Sequence, residues 1–143
     1  MINVVNKVLT AWYELLNGNI SVPVYRVDAP PTEEGHYVIL RAESSTPTLN
    51  NHKFVTNPVI ITEVVTKFAT RIDDSVANDI DNEISELLLP TASTHALPQQ
   101  DDIQITSVIR QDQTYLPEDD GTFRYHTLIT RNVHRVEQLQ TQS

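Results

Sequence analysis

Residues 58–89 read PVIITEVVTKFATRIDDSVANDIDNEISELLL, and this stretch decides the fold class of the chain. Its first part, Val59–Phe68, is rich in β-branched residues and has apolar side chains at both parities. Successive strand side chains point to opposite faces, so the pattern predicts a central strand covered on one side and partly covered on the other.

The second part of this stretch changes to the helical period, with Val76, Ile80 and Ile84 on one stripe. Asp73 supplies an N-cap acceptor for the first turn, and Pro90 ends the helix. A helix that docks its apolar stripe on the sheet is therefore predicted.

The other elements are predicted to lie beside this strand and helix. They are a helix over 2–17, with Trp12 in its apolar stripe and in the core, and strands at Val22–Val27, Tyr37–Glu43, Ile103–Arg110 and Thr122–Val136. The order is α-β-β-β-α-β-β, which predicts an α+β fold with a mostly antiparallel sheet of about five strands and two helices packed on one face. The chain is predicted to be a single domain, 1–143, with long loops at 44–57 and 112–121 and a polar C-terminal tail at 137–143.

Composition excludes several kinds of partner. The chain has 19 acidic and 10 basic residues, a formal net charge of −9, so specific binding to DNA through its phosphates is not expected. No apolar run approaches a membrane span, and the N-terminus lacks the pattern of a signal peptide. The absence of cysteine excludes disulfides and thiolate metal sites, and it fits intracellular synthesis.

A search for catalytic or metal-binding motifs in the sequence finds none. The five histidines lack zinc-protease spacing and are interpreted as surface residues, although His126 and His134 share a strand face. The acidic segment 112–121 lacks the alternating acids of a calcium loop, and three glycines in the whole chain provide no phosphate-binding loop. There is no nucleophile elbow. The chain is therefore expected not to be an enzyme and to need no cofactor or metal.

Charge is segregated along the chain. The predicted second helix has no Lys or Arg between residues 73 and 89, whereas most basic residues sit on predicted strands. One interpretation is an ordinary solvated helix face. The other is a head-to-tail contact in which the acidic helix of one subunit faces the arginines of its neighbour and closes a ring. A ring that is unchanged from low to molar salt would count against that contact.

An amphipathic N-terminal helix, the strand Val22–Arg26, a Pro-Pro loop, the strand Tyr37–Leu40 and a long polar loop together resemble the tail-terminator proteins of tailed bacteriophages, in particular the neck-terminator and tail-completion branch. The resemblance covers residues 4 to 136 in element order and hydrophobic pattern. It implies a structural virion protein without catalytic residues, made in the cytoplasm of the bacterial host. Such a protein forms a hexameric ring between the head connector and the tail tube, around a channel through which DNA passes without specific binding.

The resemblance implies that contacts come from sheet edges, long loops and terminal segments, and the charge pattern adds the acidic helix and the strand arginines. The candidate subunit-interface residues are Asp79, Glu83, Glu86, Arg110, Arg124, Arg131, Lys53, Phe54, Tyr115 and Leu116. Two alternatives stay open: another head-tail connector or head-completion adaptor, and a stand-alone soluble binding module. The mass of the purified protein separates the module from the ring, and its neighbours in the particle separate terminator from adaptor.

Overall fold

A computed structural model describes residues 4–26, 28–29, 35–43, 55–91, 93–100 and 102–138. The elements, in chain order, are α1 (Val4–Leu16), β1 (Val24–Arg26), β2 (Tyr37–Glu43), β3 (Val55–Thr56), β4 (Val59–Phe68), α2 (Asp74–Leu88), β5 (Ile103–Asp119) and β6 (Arg124–Gln138). Two helices and a six-stranded sheet confirm the predicted α+β class.

The sheet is organised around β4 and β6. Strand β4 pairs antiparallel with β2 on one side and with β6 on the other, and β5 adds to the far side of β6. The short strand β3 pairs with β6 beyond the end of β4, separated from β4 by Asn57 and Pro58. Long β6 is therefore covered along both of its edges, which makes it the second central strand of the sheet.

The prediction of a mostly antiparallel sheet with about five strands is corrected. The sheet is mixed and has six strands, because β1 runs parallel to β2 and because β3 is a separate strand. Alternation of side chains has the same period in parallel and antiparallel strands, so the sequence pattern carries no information on the direction of β1.

Both helices pack into one core on the same face of the sheet. The apolar side of α1 buries Val8, Trp12 and Leu16 completely, and α2 does the same with Ile84 and Leu88. These side chains join strand residues in a single cluster; its strand members include Val38, Leu40, Ile60, Val64, Leu128 and Val136. Trp12 is thus in the core, as predicted.

Strand β5 corrects the predicted turn over 112–121. The strand continues to Asp119, and the turn is confined to residues 120–123. Pairing with β6 shifts register twice, between Ile105 and Ser107 and between Gln111 and Gln113. From Gln111 onwards every side chain of β5 is exposed, so no alternation of burial marks this half as a strand. Pro117 is compatible with it because β5 lies at the sheet edge.

The predicted loop 44–57 and tail 137–143 fall partly outside the described residues. The end of that loop contains β3, and the start of that tail, Glu137 and Gln138, belongs to β6. Residues 44–54 and 139–143 lie outside the description.

The turn between β5 and β6 depends on one glycine and one carboxylate. Asp120 accepts hydrogen bonds from the backbone N–H groups of Phe123 (2.7 Å) and Thr122 (2.9 Å), which lower the pKa of this carboxyl group. Gly121 has φ +90°, a left-handed conformation that side chains disfavour.

We expect Gly121→Ala to destabilise the protein by about 1–2 kcal/mol, because a Cβ is strained at this φ although there is open space around it. Chemical denaturation of the variant measures this cost. Gly121→Asn is the control, since asparagine tolerates left-handed backbone better and should lose less stability. Equal losses for the two variants would contradict the backbone explanation.

Candidate subunit interface

The two faces of the sheet differ in burial, and β6 shows this most directly. Its residues Leu128, Thr130, Asn132 and His134 point to the helices and are buried. The residues between them are half-buried and lie on the side of the sheet opposite to α1 and α2. We call the first side the buried face and the second side the open face. The strand pairings assign every residue of β2, β4 and β6 to one of these faces.

The open face is apolar at its centre. Its apolar side chains from β2, β4 and β6 are Tyr37, Ile39, Val59, Ile61, Val65, Tyr125, Ile129 and Val133, of which Ile39, Val59 and Val65 are at most 9% exposed. A shallow groove of about 400 Å³ lies on part of this face, between Tyr37, Tyr125 and Ile129, with Leu116 and Glu118 of β5 on its margin. Leu116 is 42% exposed and Ile109, also on this side of β5, is 56% exposed. Large exposed apolar side chains next to a shallow groove are typical of a protein-binding surface.

The three arginines on the open face are paired within the chain. Arg41 forms an ion pair with Glu63. Arg131 donates to Glu43 at 2.5 Å, and this hydrogen bond raises the pKa of the guanidinium group. Arg135 forms an ion pair with Glu137 at 2.7 Å. These pairs neutralise the arginines locally.

The outer side of α2 is acidic. Asp79 and Glu86 are exposed and, among the residues that the structure describes, neither forms an ion pair. Glu83 is bonded to the chain itself: it accepts hydrogen bonds from the backbone N–H (3.1 Å) and the hydroxyl (2.6 Å) of Ser21. Glu83 thereby fastens the segment after α1 to α2, and only part of the predicted acidic surface is left without a partner.

Arg110 lies between the sheet and α2 and not on the surface. Its side chain is 11% exposed and donates to Asp81 at 2.7 Å, where the carboxylate is 9% exposed. The guanidinium group also donates to Asn132 at 2.9 Å and to Ser85. The second oxygen of Asp81 accepts from Gln113 at 3.0 Å. This network ties β5, β6 and α2 of one chain together.

The remaining predicted interface residues lie on the β5–β6 hairpin or outside the description. Tyr115 is on the helix side, where its ring stacks on His126 at 5.3 Å and its hydroxyl donates to Asn78 at 3.0 Å. Arg124 is at the hairpin end, 3.7 Å from Asp119. Lys53 and Phe54 lie outside the described residues. That these residues contact a neighbouring subunit stays a prediction.

Two histidines interpreted as surface residues are buried. His126 is 7% exposed and His134 is 1% exposed, because β6 is a central strand whose helix side is covered. The Trp12 indole donates to Nε2 of His134 at 2.7 Å, and Nδ1 of His134 lies 2.8 Å from the carbonyl oxygen of Pro58. These two bonds define a neutral imidazole with its proton on Nδ1. Burial lowers the pKa of His134 to about 4.

Sequence reasoning missed the open face as a surface, although a signal was present. Val59, Ile61 and Val65 alternate on one parity of β4, and Val133 and Ile129 do so on β6. The pattern indicates apolar side chains on both faces, and only the tertiary structure shows which face receives the helices. Within the described ranges there is no group of three or more metal-ligating side chains, and no helix is long and apolar enough to cross a membrane.

Comparison with known proteins gives a structural likeness without a family assignment by sequence. No protein-family model matches the chain, and no curated protein matches it. Among solved structures, it is similar to a chain of the virion of a native gene transfer agent (GTA) particle, with a TM-score of 0.67 and 16% sequence identity. The alignment covers 94% of this chain and 99% of that chain, so the two share their fold over nearly their whole length.

Proposed function

We propose that this chain is a structural protein of a phage-like virion and forms one subunit of a ring at the head-tail junction. The likeness to a chain of the GTA virion supports the first part of this proposal, because it extends over 94% of one chain and 99% of the other. The ring and its place at the junction rest on the resemblance of the sequence to tail-terminator proteins. In this role the ring terminates or completes the tail and surrounds the channel through which DNA leaves.

Two properties of the chain support a structural role. The described residues hold no group of three or more metal-ligating side chains, and the ion pair of Arg110 with Asp81 is enclosed between strands and α2. The net charge of −9 suits a channel wall, since an anionic surface lets DNA pass without phosphate contacts. We therefore propose that the chain is not an enzyme and that its partners are further copies of itself and the connector and tail-tube proteins.

Imaging of particles that lack this chain tests the proposal. We expect full heads that are separate from tails, or tails of abnormal length, because a neck ring both ends tube growth and joins the two parts. Complementation with the intact chain should restore joined particles. Normal virions without the chain would end the proposal. Chemical cross-linking in intact particles then separates a terminator, which contacts tail-tube protein, from an adaptor that contacts only connector proteins.

A further inference from the structure

The open face is nearly neutral in a strongly acidic chain. Its basic residues are Arg41, Lys67, Arg131 and Arg135, and its acidic residues are Glu43, Glu63, Glu118, Glu137 and Asp112. Asp112 lies in the bulge of β5, and its carboxylate is 3.9 Å from the guanidinium group of Arg131. The open face therefore has four basic and five acidic residues, whereas the formal net charge of the whole chain is −9. Most of the excess negative charge therefore lies elsewhere, including the exposed Asp79 and Glu86 of α2.

This distribution of charge indicates which binding partner suits the open face. Two copies of the chain repel each other because each carries −9, and the repulsion is smallest where the contacting surfaces are neutral. A cationic partner would instead be attracted to the acidic side of α2. An apolar surface whose ion pairs are satisfied within the chain thus suits a second copy of the same chain.

The size of the face also suits a stable contact. Four strands, β2, β4, β6 and β5, lie side by side, and β4 is 10 residues long. At about 4.8 Å between strands and about 3.3 Å per residue, the face measures about 19 by 33 Å, or about 600 Å² in projection. A standard interface buries about 800 Å² of accessible surface on each partner, which is of the same order as this projected area.

We infer that the open face of the sheet, centred on Thr127 and Ile129 with Leu116 at its margin, is a surface through which neighbouring copies of this chain contact each other. This inference rests on the proposed ring and supplies its subunit contact. The driving force is burial of apolar side chains, and the arginines keep their partners within the chain. It differs from the contact between an acidic helix and a neighbour's arginines in its response to salt.

Salt dependence of the oligomer is the first test. Raising ionic strength screens the repulsion between acidic copies and leaves apolar contacts in place, so association should be unchanged or stronger in molar sodium chloride. Native mass spectrometry and light scattering across a series of protein concentrations measure the fraction of oligomer at each salt concentration. Dissociation of an oligomer by salt would overturn the inference and favour the charged contact.

Thiol labelling locates the contact, because the chain has no cysteine of its own. Thr127→Cys places a thiol at the centre of the open face, and Asp79→Cys places one on the exposed side of α2 as the matched control. We expect maleimide labelling at position 127 to fall in proportion to the oligomer formed, and labelling at position 79 to keep its monomer rate. The same labelling is repeated on virions that carry each variant.

Leu116→Glu adds an association test that spares the fold, since this side chain is 42% exposed on an edge strand. A charge in an apolar contact should weaken association by about tenfold or more, whereas Glu86→Gln on α2 should not weaken it. A position-127 thiol that reacts in oligomers and virions as fast as in the monomer would overturn the inference while leaving the ring intact. The ring itself fails separately, if particles without the chain are normal.

Discussion

Arg110→Ala is expected to lower the free energy of unfolding by about 3–5 kcal/mol, because it leaves the carboxylate of Asp81 buried without its counter-ion. The guanidinium group also donates to Asn132 and Ser85, so the substitution removes partners from β6 and from α2 as well. Breaking one side of a buried pair costs more than the pair contributes, since a buried charge cannot be solvated. Equilibrium urea denaturation of parent and variant measures the difference.

Arg41→Ala is the matched control for this prediction. Arg41 also forms an ion pair on the sheet, with Glu63, but its side chain is 44% exposed. Water replaces the lost partner there, and the expected loss is at most about 1 kcal/mol. A double variant, Arg110→Met with Asp81→Leu, should recover much of the stability, because both charges are removed together. Similar losses for Arg110→Ala and Arg41→Ala would show that the Arg110 pair is not effectively buried.

Acid is expected to destabilise the protein through His134 by about 3 kcal/mol between pH 6.5 and 4. Burial lowers the pKa of this histidine to about 4, while its unfolded value is 6.5. Between pH 6.5 and 4, His134 is protonated in the unfolded chain but stays neutral in the folded chain. Stability from the neutral imidazole is therefore complete above about pH 6.5 and is lost as the pH falls towards 4. Protonation of Nε2 would also set two donors, this nitrogen and the Trp12 indole, against each other.

The change of unfolding free energy with pH checks this prediction. Near pH 5 the slope from His134 approaches about 1.4 kcal/mol per pH unit, because one proton separates the two states. His134→Leu is expected to be less stable at neutral pH, since the Trp12 donor loses its acceptor, but to lack this part of the slope. Identical slopes for parent and variant would refute the assignment to His134.

The contact between Trp12 and His134 joins parts of the chain that are distant in sequence. It links α1 to β6, and the bond from His134 to Pro58 extends the link to the break between β3 and β4. Asn57 adds a bond to the carbonyl oxygen of His134 at 3.1 Å. The sequence shows an apolar stripe that includes Trp12 and a strand that includes His134. It does not show that the two meet, because that depends on which face of β6 receives α1.

The open face illustrates the same division between local pattern and tertiary arrangement. Apolar residues at both parities of β4 predict that the strand is central and that both of its faces are apolar. Whether a second layer covers the other face depends on where the remaining elements pack. Helices α1 and α2 pack on the same face, so Ile129 and Val65 lie on the side of the sheet opposite to these two helices.

Sequence alone determined the α+β class, the two helices, the centrality of β4 and the place of Trp12 in the core, because each follows from the local period of apolar side chains and from helix-ending residues. Tertiary structure alone decided the parallel direction of β1, the extension of β5 to Asp119, the enclosure of Arg110 and the burial of His134. The physical reason is that direction, edge position and burial depend on which neighbour a residue receives, and neighbours distant in the chain leave no period in the sequence.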